Sequence, residues 1–213
     1  MIRSFRTART PANPSQSAAA AGFSLLELLL VAAIILIVAS LYWRGTSRSQ
    51  ASQERKNCEK NLQKIFIALE IFANDHGGKF PEVPGARTSS EALDGLVPRY
   101  TVDTSAFICP ASKDAALPAG EAIAKRKISY AYYMGRRAAD SQQVLMSDQQ
   151  VNTLSKAAGE YAFSRTGKPP GNNHGKLGGN VLFCDGHTEA TPSRVPFSLT
   201  LAGGVVLLNP NPK

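Results

Sequence analysis

Between residues 21 and 43 the chain reads AGFSLLELLLVAAIILIVASLYW, with Glu27 its only charged residue. A helix rises about 1.5 Å per residue, so about 20 apolar residues reach across a bilayer core. The expectation for 23–43 is therefore a transmembrane helix. A charged side chain near the centre of a membrane helix costs about 3 kcal/mol on insertion scales, less near an end, and usually has a partner or a function. Glu27 therefore needs an explanation that a plain anchor does not supply. Upstream, Arg3, Arg6 and Arg9 occur without any acid, followed by a Pro-, Ser- and Ala-rich stretch too poor in large apolar residues to pack. The positive-inside rule keeps 1–22 in the cytoplasm and sends the rest across, although Arg44 and Arg48 pull the other way. A cleavable secretory signal ending near Val38–Ser40 is the plainer alternative. Against it, the apolar run exceeds the roughly 7 to 15 residues of a signal core and continues through Leu41, Tyr42 and Trp43.

The segment GFSLLELLLVAAIILIVAS resembles the N-terminal signature of type IV prepilins and of the pseudopilins of type II secretion: Gly, Phe, three residues, Glu, then an unbroken apolar helix. The resemblance implies that a prepilin peptidase cuts between Gly22 and Phe23 and methylates the new amine of Phe23. It also implies that Glu27, fifth in the mature chain, pairs with the N-terminal amine of a neighbouring subunit. The leader would then be 1–22. The implied partners are the peptidase/methyltransferase, other pilin or pseudopilin subunits, an inner-membrane assembly platform and membrane lipid. The implied location is the bacterial inner membrane, single-pass, with a periplasmic C-terminal domain that can enter an extracytoplasmic filament.

Downstream, Cys58, Leu62, Ile65, Phe66, Leu69, Phe72 and Ala73 recur at spacings of three and four, which predicts an amphipathic helix over 44–75. Gly77, Gly78 and Pro81 mark its end. The charges Glu54, Arg55, Lys56, Glu59 and Lys60 read as a solvated helix face. The remainder, 76–213, is broken by Gly, Pro, Ser and Asp. EALDGLVPRY suggests a short helix or turn, and strands are expected at 106–109, 128–134, 143–148 and 179–185, the last turning at Asp185-Gly186 into HTEA. A small antiparallel sheet over one helix face gives an α+β architecture, matching the pilin fold that the resemblance implies: a long N-terminal helix, transmembrane in its first half, whose second half packs on the sheet.

The same resemblance extends to CEKNLQKIFIALEIFANDHGGKFP, FICP and NNHGKLGGNVLFCDGHTEA, which are similar to bacterial pilin-like proteins ending in His, nine residues, then Asp-Gly. Here ten residues separate His174 from Asp185, which puts His174 more in question than Asp185 or Gly186. His174, Asp185 and His187, with Asp148, are the candidate metal ligands by residue type. Asp-Gly is also a favoured turn, and that reading is preferred. Calcium, which major pseudopilins bind in a C-terminal loop, would draw on Asp148, Asn173 and Asp185, but six or more spaced oxygens are not evident. No other cofactor is expected.

No nucleophile elbow, phosphate loop or zinc-protease helix occurs, so catalysis by this chain is not expected. The net charge of +8 is spread along the chain without a nucleic-acid-binding motif, and nucleic acid is not an expected partner. Three cysteines occur without C-x-x-C spacing. An extracytoplasmic location permits a disulfide. Since Cys58 and Cys109 resemble positions where related proteins carry Cys, the expected pair is Cys58–Cys109, leaving Cys184 buried. Three reduced, buried thiols are the alternative. The expected function is that of a structural subunit of a type II pseudopilus or type IV pilus, the alternative being a membrane-anchored periplasmic binding module that does not polymerise.

Overall fold

The computed structural model describes residues 24–201 and 203–210, without the side chains of 42–48. The leader 1–22, and with it Gly22 and Phe23, lies outside the described residues. By internal contacts the chain divides into two compact units, Met1–Gly45 and Thr46–Lys213.

Helix α1 spans Leu25–Asp75. The Ser24 carbonyl accepts from the Leu28 N–H in its first turn. Its C-terminus closes on glycine: Gly77 and Gly78 have φ of 64° and 80°, and the Gly78 N–H reaches back 2.7 Å to the Ala73 carbonyl. A residue with Cβ resists this left-handed backbone, so the two glycines set where the helix stops. In the first unit, the side chains of Leu25–Leu41 are exposed on every side of the helix.

In the second unit five antiparallel strands form one sheet in the order β4-β3-β2-β1-β5, with β1 Tyr130–Met134, β2 Val144–Asp148, β3 Gly179–Phe183, β4 Thr188–Thr191 and β5 Val206–Leu208. Alternate residues divide between two cores, as the two-residue period of a strand requires. Tyr130, Tyr132, Leu182 and Cys184 pack with Cys58, Leu62, Ile65 and Leu69 of α1. Ala131, Tyr133, Val181 and Phe183 face the opposite way, onto Phe163, Val195, Leu199 and Leu207. Helix α2, Ser89–Leu93, joins the first core through Ala92 and Leu93. Thr88 caps its start, accepting from the Glu91 N–H on Oγ1 at 3.2 Å, while the Arg87 N–H donates to Glu91 Oε2 at 2.7 Å.

The fold expected from the sequence is corrected at three points. Among the described residues no helix is long and apolar enough to cross a membrane, so the transmembrane first half of the expected pilin fold is not found there. The described apolar stretch Leu25–Leu41 measures about 25 Å at the helical rise, short of the ~30 Å of a bilayer core. Nor is the sheet a small layer laid on one helix. Its three central strands are covered on both faces, by α1 on one and by the long excursion between β2 and β3 and the segment after β4 on the other. The segment 106–109, expected as a strand, is instead the end of a 3-10 turn, Thr104–Phe107, running into Pro110. Pro110 has no N–H to offer a ladder, and the buried Ala106 and Phe107 dock without one.

Candidate functional site

The residues brought together most tightly lie where α1 meets β2 and β3. Cys58 on α1 is joined by a disulfide to Cys109, just past the 3-10 turn. Against it lies the imidazole of His174, with Nε2 3.7 Å from Cys109 Sγ and 3.0 Å from Asp148 Oδ2. Both side chains of the His174–Asp148 pair are about 1% exposed. The carboxylate of Asp148, at the end of β2, is further committed. Its Oδ2 accepts from the Asn180 N–H at 2.6 Å, and its Oδ1 from Asn173 Nδ2 at 3.1 Å. A buried carboxylate is tolerable only when so many donors replace its water.

Arg55, one helical turn before Cys58, extends this network to the edge of the sheet. Its guanidinium donates to the carbonyls of Leu177, Gly179 and Thr191 and to Asn180 Oδ1, at 2.6 to 3.3 Å. Burial pulls the guanidinium below its ordinary pKa, while Asp148 and Glu59 oppose the shift. Glu59 in turn accepts from Thr188 Oγ1 at 2.9 Å. The expected solvated face is thus corrected for Arg55 and Glu59: both dock on the β3–β4 end of the sheet. Periodicity missed this because a half-buried Arg spends its hydrogen bonds on carbonyls from remote strands.

The second His–Asp pair stands apart. Asp185 Oδ1 accepts from the His187 N–H at 3.1 Å and meets His187 Nδ1 at 2.5 Å. Although burial pushes the carboxyl up, these contacts with His187 hold Asp185 below the usual carboxylate range. The turn is packed rather than open. Gly186 has φ of 88°, and a Cβ there would lie 2.5 Å from the Phe66 ring on α1. Asp-Gly at this place therefore serves the close approach of turn and helix.

Of the four metal candidates, Asp148 and His174 are together, while no described cluster of three or more potential ligands contains Asp185 or His187. The one such cluster among the described residues is Cys58, Cys109 and His174. With the two sulfurs bonded to each other, no thiolate is available, and the trio is not a metal centre in this state. What the arrangement does is fasten: α1, the 3-10 turn, β2 and β3 are tied at one point sealed from water. Glu27 is exposed on the first turn of α1, amid Leu25, Leu26, Leu28 and Leu29.

No family model, no curated protein and no solved structure matches this chain. The functional reading therefore rests on its own residues.

Proposed function

We propose that this chain is a structural, pilin-like subunit, processed between Gly22 and Phe23 and assembled through its N-terminal helix into a type IV pilus or type II pseudopilus. The supporting observation is the exposure of Leu25–Leu41. Leu25 and Leu26 are 75% exposed, Leu36 71% and Leu41 66%. A helix apolar all round is stable only when buried, and a bundle of identical helices buries it. Ile67 and Ile71, one turn apart on the head portion of α1, are also exposed and offer a second apolar contact to a neighbour. The lone carboxylate of Glu27 then requires a cation inside the bundle, and the amine of Phe23 on a neighbouring copy supplies one and sets the axial register. The Cys58–Cys109 disulfide supports an extracytoplasmic head.

Mass spectrometry of the mature N-terminus, coupled to imaging of filaments from producing cells, tests this reading. N-methylated Phe23 with filaments is the expected result. An intact Met1 and no filaments sink it and leave the binding module. Glu27→Ala should leave cleavage intact and reduce incorporation into filaments about tenfold or more, the scale of losing one buried ionic partner. Wild-type incorporation of that variant removes the register role.

A further inference from the structure

Arg136 follows β1 and is only 8% exposed, yet among the described residues no carboxylate lies within ion-pair distance of it. Its Nη2 donates to the Thr200 carbonyl at 2.7 Å, and its Nε is shielded from water without any hydrogen-bond partner. Burying a cation without a counter-charge is costly, and among the described residues one backbone carbonyl offsets it. Arg136 lines a cavity of about 440 Å³ whose other walls include Tyr133, Phe183, His187, Glu189, Phe197 and Leu199. Phe183 and Phe197 meet edge to face, with centroids 5.5 Å apart, so the apolar wall is built and not incidental. A fixed cation beside aromatic walls, in a cavity of this size, is the composition of a small-ligand site.

We propose that this cavity binds an organic monocarboxylate, its carboxylate on Arg136 and its apolar body against Phe183 and Phe197. The planar fork of a guanidinium matches a carboxylate in geometry as well as charge. Glu189, exposed on β4, also lines the cavity. Its negative charge disfavours a doubly charged group such as phosphate, while a single carboxylate beside Arg136 is still attracted. The same chemistry can come from a free small acid or from the C-terminal residue of a peptide. The site lies wholly within the Thr46–Lys213 unit.

Calorimetry on the full-length protein in detergent, with N-acetylphenylalanine, its amide, benzoate, phenyl phosphate and a pentapeptide ending in free Phe as probes, tests the proposal. The expected result is saturable binding of a carboxylate probe, with amide and phosphate at least about tenfold weaker, the loss when a charge-assisted contact is absent. Tighter binding of the pentapeptide than of N-acetylphenylalanine assigns the site to peptide termini, and the reverse to free acids. Arg136→Gln should abolish binding and Arg136→Lys restore part of it. If Arg136→Gln does not fold, Phe197→Ala, on a half-exposed ring, should weaken the acid about tenfold while leaving the fold intact. Equal affinity for acid and amide, or no saturable carboxylate binding up to about 10 mM, overturns the proposal.

Discussion

At the scale of single residues, the decisive group is Asp148. Its carboxylate receives the Asn180 N–H, the Asn173 amide and His174 while almost fully buried. Replacing it by Ala would leave these donors without an acceptor, and Asp148→Ala should cost about 3 kcal/mol of stability in denaturant titrations. A loss under about 0.5 kcal/mol would mean that water replaces the carboxylate there. The sequence offered Asp148 only as a candidate metal ligand at the end of the strand QVLMSD, and its pairing with His174 and two asparagines was not legible there. His174 was legible only as a candidate, and the extra residue before Asp185 made it look displaced. In the loop that follows it, Gly178, with φ of 90°, passes so near the Thr191 carbonyl that a Cβ would lie 2.1 Å from its oxygen.

At the scale of elements, the joint between α1 and the 3-10 turn depends on the disulfide. Cys58 and Cys109 are 51 positions apart, and closing a loop of that length removes about 4 kcal/mol of unfolded-state freedom by the chain-entropy account. Replacing both cysteines by Ser should lower stability on that scale, read as a fall in the denaturant midpoint. In β2 and β3 every residue is buried, and in β1 all but Met134; a strand covered on both faces has no polar side to alternate with. Strand β5 escaped notice altogether, because three residues beyond Gly203-Gly204 carry too little pattern.

At the scale of the whole molecule, the buried acids make stability fall at high pH. Burial pushes the Cys184 thiol up to about 12 and raises the Tyr130, Tyr132 and Tyr133 hydroxyls above their ordinary range. Below about pH 8.5 both folded and unfolded chains keep these protons, and stability is complete. As pH rises, the unfolded chain releases them first, the folded state binds more protons, and stability declines until the folded groups also ionise. The thermal midpoint should therefore fall steadily between pH 9 and about 11. Cys184 should resist alkylation in the native state and react on unfolding. A flat midpoint over that range, or rapid native alkylation, would contradict this packing.

By itself the sequence determined what composition and short-range period can carry: an apolar helix bearing one carboxylate, an amphipathic stretch ending at Gly77-Gly78, three of the four expected strands and the Asp185-Gly186 turn. Tertiary structure alone decided that the sheet is covered on both faces, that Asp148 and His174 meet beside the Cys58–Cys109 bridge, that Arg55 leaves the solvent for three distant carbonyls, and that Arg136 is buried with no carboxylate in ion-pair distance among the described residues. The reason is physical. A residue's period is written in its neighbours along the chain, whereas burial and pairing depend on residues that only folding brings near.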